Sequence, residues 1–273
     1  MESDLRLVDA VCELVDARIP FSSRNPDIDK IIKNKPRLLV MNRIDQADPE
    51  ATALWIEHFE GLSMRVMETD SNSGKGTSSF GTQIRSLLSE KLERRRQLGQ
   101  EGRPIRVMVV GVPNVGKSAF INRVTGRKAA KAEDRPGVTR GKQWASVDRG
   151  LELMDTPGIL WPRFEDPEVG LKLAWTGAIR DRADDIEELA CELLAFLSRN
   201  YPQGVLQRFS VSLKDGEENW ELLQRAAINR GFLSRGGEAD ISRASAVILD
   251  EFRAGKLGRI SLELPLTKAE SNG

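Results

Sequence analysis

Apolar positions come in blocks that change period along the chain. Residues 8–15 (VDAVCELV) form a short β-branched run, and residues 37–41 (RLLVM) and 105–110 (IRVMVV) are continuous apolar stretches, the pattern of strands covered on both faces. Residues 64–69 repeat that signal more weakly. Between these runs, residues 26–33 and 49–60 space their apolar positions as helices do; the second carries Pro49 in its first turn and is followed by Gly61. A charged helix is predicted over 84–98, ending at Gly99, then a linker, Gln100-Glu101-Gly102-Arg103-Pro104. Residues 119–124 open a helix that stops near Gly126. Residues 142–147 and 151–154 flank Asp148-Arg149-Gly150 and read as an antiparallel hairpin. Beyond residue 181 strand signals vanish, and 183–198, 217–229 and 239–253 have helical spacing. The pattern predicts an α/β domain over 1–180, a mostly parallel sheet flanked by helices, and a small all-helical domain over 181–273.

Composition narrows the functional classes. The 273 residues carry 41 basic and 41 acidic side chains and are 40% hydrophobic, which excludes a disordered chain and a wholesale polyanion binder. The balance is uneven: residues 181–273 hold 12 basic and 16 acidic side chains, leaving net +4 before them and net −4 within them. Nucleic-acid contact must therefore come from local patches. Two stand out: Lys91, Arg94, Arg95 and Arg96, and the group Arg225, Arg230, Arg235, Arg243, Arg253, Lys256 and Arg259 around Gly236-Gly237. Cys12 and Cys191 read as buried thiols of a reducing compartment, and one histidine, His58, leaves little room for His chemistry. With no signal peptide and no apolar run of about 18 residues, the expectation is a cytoplasmic protein without membrane attachment.

Gly111-Val112-Pro113-Asn114-Val115-Gly116-Lys117-Ser118 fits G-x-x-x-x-G-K-[ST] between a predicted strand and a predicted helix. Glycines let the backbone wrap a phosphate. The N–H groups of Asn114, Val115, Gly116, Lys117, Ser118 and Ala119 and the helix amino end supply positive potential there, Lys117 reaches the β and γ oxygens as a catalytic charge, and the Ser118 hydroxyl can ligate Mg²⁺. Asp155-Thr156-Pro157-Gly158 closes the hairpin's second strand, as expected of a carboxylate on the metal side with the Gly158 N–H facing a γ-phosphate. Between these motifs the turn-rich segment 134–140 offers Thr139 as a second hydroxyl ligand of the metal.

Asn42-Arg43-Ile44-Asp45 follows the apolar run 37–41, so its side chains emerge at a strand's carboxyl end, where open α/β sheets bind ligands. A carboxylate at Asp45 can accept both N1–H and N2–H of guanine, which adenine cannot offer. Asn42 would tie this loop to the phosphate loop.

The four motifs resemble the signature of translation-factor-type GTPases in rotated order, with the base-reading element ahead of the phosphate loop. Residues 16–26 (DARIPFSSRNP), 111–118, 155–166 (DTPGILWPRFED) and 252–259 (FRAGKLGR) make the chain similar to circularly permuted GTPases of the ribosome biogenesis GTPase A family along essentially its whole length. That resemblance implies GTP as substrate and Mg²⁺ as cofactor. It implies a backbone contact to guanine from Ser71-Asn72, a K⁺ ion at Asn114, and a large-ribosomal-subunit precursor with its rRNA as partner, bound by a monomer through the helical domain. Three departures stand beside it. Arg43 occupies a position usually held by Lys. Ile159 replaces the Gln that orients the attacking water in many GTPases. The Trp-Phe-Pro-Gly-His segment whose His takes that role in the family does not occur in the sequence, and His58 lies in a helix on the base-reading side. Two alternatives therefore stand: a nucleotide-gated binding module with negligible turnover, and a P-loop ATPase or kinase in which Asn42–Asp45 is only a turn.

Overall fold

The computed structural model describes residues 2–33, 35–100, 102–126, 143–156, 166–180 and 185–265. Among the described residues, six strands make one sheet: β1 (Ala10–Asp16), β2 (Arg37–Asn42), β3 (Arg65–Thr69), β4 (Ile105–Val110), β5 (Gln143–Asp148) and β6 (Leu151–Asp155). Their order is β3-β2-β1-β4-β6-β5, and every neighbouring pair is parallel except the β5–β6 hairpin. The α/β expectation holds, and the strands lie within two residues of the runs read from sequence.

The continuous apolar runs of β1, β2 and β4 are needed because both faces are covered. One face presents Val11, Val15, Leu39, Met41 and Met108. Leu5 of α1 (Glu2–Leu5), Ile28 and Ile32 of α2 (Ile28–Ile32), and Trp55 and Phe59 of α3 (Pro49–Gly61) pack over it. The other presents Cys12, Leu14, Leu38, Val40 and Val109, all without measurable exposure. Helices α4 (Phe80–Leu87) and α6 (Lys117–Thr125) pack on the sheet and meet through a T-shaped Phe80–Phe120 pair. Asp48 caps α3 by accepting from Glu50 N and Ala51 N, worth about 1 kcal/mol. The charged helix predicted over 84–98 is in fact two, α4 and α5 (Ser89–Gln97), broken at the buried Leu88. His58 sits on α3 edge-on to Trp55 and Phe59. Cys12 is buried, which pushes its thiol pKa up, whereas Cys191 is only half-buried, against expectation.

The chain divides into two compact units, residues 1–163 with 261–273, and residues 164–260. The second unit begins before the expected boundary near 180 because α7 (Pro167–Trp175) belongs to it. The Trp175 indole donates to Leu189 O at 2.9 Å, and Arg253 donates to Ala174 O and Trp175 O. Helices α8 (Ile186–Asn200), α9 (Pro202–Phe209), α10 (Asn219–Asn229) and α11 (Ile241–Arg253) complete it around Leu193, Leu197, Phe209, Leu222, Ile248 and Phe252. Residues 261–263 belong to the first unit. There the Glu263 carboxylate accepts from Ser22 N and Ser22 Oγ, and its carbonyl accepts from the Trp55 indole.

Candidate active site

Parallel strands put all their carboxyl ends on one edge, and the candidate residues follow from that. Asn42–Asp45 leaves β2, Ser71-Asn72 leaves the end of β3, the phosphate loop leaves β4, and Asp155 ends β6. With about 4.8 Å between neighbouring strands, the ends of β2 and β4, separated by β1, lie roughly 10 Å apart, which suits a nucleotide lying along the edge.

Asn42 joins three of these loops. Its Nδ2 donates to Val115 O at 2.9 Å, while its Oδ1 accepts from Ser71 N (3.1 Å), Ser71 Oγ (2.7 Å) and Thr69 Oγ1 (3.2 Å). Gly116 makes room for that amide: its φ is +97°, and a Cβ there would lie 2.3 Å from Asn42 Nδ2. Arg43 adds a second tie, donating from Nη2 to Asn114 O at 2.8 Å, with its Nε 3.7 Å from Asp16 Oδ2. The guanidinium is thus engaged with the phosphate loop and β1. Arg43 (φ 64°) and Asn114 (φ 57°) both adopt left-handed backbone, the kind of strain that collects at ligand sites and costs roughly 1 kcal/mol or more each.

Beneath them the 16–26 stretch turns at the end of β1. Asp16 and Arg18 form a buried bidentate pair, Nε to Oδ1 at 3.0 Å and Nη2 to Oδ2 at 2.7 Å. The pair holds Asp16's carboxyl below the usual carboxylate range despite burial. Ile44 is buried in the core under α3, leaving Asp45 exposed beside it. Partial desolvation and then the nearby Asp70 raise Asp45's pKa.

Sequence reasoning missed Arg123. From α6, its Nε donates to Ser71 O at 3.2 Å and its Nη2 to Asn72 O, so the helix that opens at Lys117 also grips the loop after β3. A basic residue on an amphipathic helix gives no local sign of that role.

At the phosphate end, the buried Lys117 donates from Nζ to Gly111 O (3.0 Å) and Val112 O (2.8 Å). Burial pushes its pKa down to about 8, with Asp155 pulling the other way. If Lys117 meets the nucleotide's phosphates as the motif predicts, they favour the ammonium, and binding takes up a proton when the pH is near the free lysine's pKa. Calorimetry in buffers of different ionisation enthalpy should show about half a proton taken up per GTP at pH 8, falling towards zero by pH 7. Uptake that does not vary with pH would refute this assignment. Asp155 lies beside Val109, 5% exposed, and burial raises its pKa while Lys117 opposes. Its Oδ1 is buried without a hydrogen-bond partner among the described residues. Such an oxygen suits a divalent cation or its bound water, and Ser118 is half-buried on the same edge. Thr139, Gly158 and Ile159 lie outside the described residues.

An Asn-Arg-Ile-Asp loop that precedes the G-x-x-x-x-G-K-S loop in the chain, yet meets it on one sheet edge, is the motif order of the permuted class of P-loop guanine-nucleotide-binding proteins. The family described as "50S ribosome-binding GTPase" matches residues 106–217. Ribosome biogenesis GTPase A of Priestia megaterium is 45% identical over 262 residues, covering 96% of this chain and 91% of the relative. Mitochondrial ribosome-associated GTPase 1 of mouse is 34% identical over 290 residues, covering 98% and 87%. Among solved structures, GDP-bound YlqF superposes with TM-score 0.68 at 29% identity, covering 97% of this chain and 98% of that one. GNP-bound YlqF from T. maritima gives 0.63 at 28%, covering 97% and 96%. The chain belongs to the ribosome biogenesis GTPase A family and is a GTP-hydrolysing enzyme.

Proposed function

We propose that this GTPase is an assembly factor for the large ribosomal subunit, docking on an immature particle with GTP bound and leaving after hydrolysis. The observation that supports the reading is the junction at Asn42, which hydrogen-bonds the loop after β2 to Val115 O of the 111–118 loop and to Ser71 N after β3, within a permuted chain that passes from its Asp155 motif into the helical unit. In the usual motif order the chain continues from there to the base-reading loops. Here a segment expected to sense the γ-phosphate feeds a second body directly.

In this reading Asp45 selects guanine, the backbone at Ser71-Asn72 meets its O6, and Lys117 with the Gly158 N–H holds the β and γ oxygens. Ser118, Thr139 and, through water, Asp155 would hold Mg²⁺, and Asn114 a K⁺ ion. When bound, these cations neutralise charge that develops on the transferring phosphoryl. Ile159 cannot orient a water, so turnover is expected to be slow alone and faster on the particle. The helical unit contacts rRNA as part of a monomer. Arg225 is paired with Glu217, Arg243 lies over Phe232, and Arg253 is bonded within the unit, so the exposed Arg230, Arg235 and Lys256 are the better phosphate contacts.

Co-sedimentation with large-subunit precursors should be salt-sensitive and stronger with a non-hydrolysable GTP analogue than with GDP. Equal binding in both states would defeat the proposal.

A further inference from the structure

At the opposite edge of the sheet, just before β1 and β2 begin, lies a cavity of about 1000 Å³ with Leu7, Ile31 and Pro36 among its apolar lining and Arg6, Lys33 and Lys35 among its cations. Lys91, which also lines it, belongs equally to an adjoining hollow of about 540 Å³ that Arg94 enters. The strands between this edge and the nucleotide pocket are six or seven residues long, a span of roughly 20 Å.

Positive charge exceeds negative among the described residues: Arg6, Lys33, Lys35, Lys91 and Arg94 line the two hollows against Asp9 in the larger and Glu90 in the smaller. Asp9, the one carboxylate among them that lines the larger cavity, is already committed: it accepts from Lys91 at 2.8 Å, from Arg95, and from Arg106 N at 3.1 Å. Lys35 donates to Val8 O at 2.7 Å, and burial together with the like charge of Lys91 lowers its pKa. Arg6, Lys33 and Arg94 are exposed, and no carboxylate pairs with them among the described residues. Arg95, nine-tenths buried, keeps its Nη1 without a partner among the described residues. Four cations, Arg6, Lys33, Lys35 and Lys91, thus line the larger cavity against one carboxylate, with Arg95 behind Asp9, and a concave wall with a net positive charge concentrates counter-ions.

We infer that this groove binds single-stranded RNA, with an unstacked base on the aliphatic floor and successive phosphates on the cations of the two hollows. Two adjoining hollows, each with more cations than carboxylates in its lining, fit a polymer with a repeating negative charge better than one small anion. An apolar floor under a cationic rim matches a splayed nucleotide, whose base is apolar on its face and charged at its phosphate. The inference rests on the ribosomal reading for its choice of RNA, but it stands on a different surface from the GTP pocket.

The test uses the full chain and a fluorescein-labelled 12-nucleotide RNA of mixed sequence, with inorganic tripolyphosphate and a poly-glutamate 12-mer as competitors. The double variant Arg6→Glu/Lys33→Glu should weaken RNA binding roughly tenfold, in GDP and in GTP analogue alike. It should also reduce the slope of log affinity against log salt by roughly 0.7 for each phosphate that is no longer neutralised. Arg149→Glu, on the β5–β6 turn, should change neither, and GTP affinity should be preserved in all variants. Unchanged RNA affinity and slope in the double variant would overturn the inference. So would poly-glutamate competing as well as RNA, which points to an acidic protein, or tripolyphosphate displacing RNA at equal phosphate concentration, which points to a small-anion site. If the double variant binds RNA like the parent chain while the parent co-sediments with precursors in the GTP-dependent manner, only this inference fails. If the parent chain never co-sediments while the RNA result holds, only the ribosomal reading fails.

Discussion

Asp45→Asn should exchange guanine for xanthine. The carboxylate can accept N1–H and N2–H together, and charge-assisted bonds of this kind are worth about 1.5–3 kcal/mol each. Asparagine keeps one acceptor for N1–H but turns a donor towards the 2-amino group, where donor now faces donor. Xanthine carries an oxygen at that position, so the same amide meets it with both bonds intact. GTP affinity should fall by about a hundredfold or more, while xanthosine triphosphate becomes the preferred ligand, because sites built on polar complementarity penalise the partner that leaves a group unpaired. A kinase-like pocket in which Asn42–Asp45 merely turns the chain would show no such exchange. The acid side of the wild-type profile carries the same information. Partial burial and Asp70 raise Asp45's pKa in the free protein, and guanine requires the ionised form. GTP affinity should therefore decline as pH falls through that pKa, earlier than for an ordinary aspartate, and the decline should disappear in the Asn variant. Competition of GTP and XTP against a fluorescent nucleotide across pH measures both effects.

The strands that build this pocket could be read from the sequence because their physics is local. β2 and β4 are buried on both faces, and nothing but a continuous apolar run satisfies that demand. The strand–loop–helix setting of residues 111–118 is equally legible, since its glycines answer to backbone geometry within eight residues. What escaped depended on partners far along the chain. The break at Leu88 cannot be seen in the charge pattern of 84–98, because α4 buries Phe80 and Ile84 while α5 carries Arg95 to Asp9, 86 residues away. The start of α7 does have a local sign, Asp166 capping Glu168 N ahead of Pro167. Its membership of the second unit, however, is set by Trp175 and Arg253. The grip of Arg123 on Ser71 and Asn72, and of Glu263 on Ser22, likewise appear only once the chain has folded back on itself. Asn42 lies between these cases: an amide after a buried strand suggests a tie between loops, but only the structure shows how many groups depend on it.

That dependence makes Asn42→Ala the most disruptive conservative change in the first unit. The side chain is 2% exposed and serves four partners. Thr69 Oγ1 has a second, longer acceptor in Met41 O at 3.5 Å, and the Ser71 hydroxyl can rotate, so neither is stranded outright. Ser71 N and Val115 O have no such freedom, and each buried backbone group left without a partner costs about 1–3 kcal/mol. A loss of roughly 2–4 kcal/mol in the stability of this unit follows, together with a GTP affinity lowered at least a hundredfold, because the loops proposed to meet the base and the phosphates are no longer held to one another. Asn42→Asp separates the two contributions. It keeps acceptors for Ser71 and Thr69 but sets a carboxylate against Val115 O, so the loop after β3 stays in place while the tie to the phosphate cradle is lost. Denaturant unfolding and GTP titration of both variants should therefore rank them differently from wild type. Alanine should be worse in stability. Aspartate should be closer to wild type in folding yet still poor in nucleotide affinity. If alanine binds GTP as tightly as wild type, the pocket is held together by Arg43 and Arg123 alone and Asn42 is not its keystone.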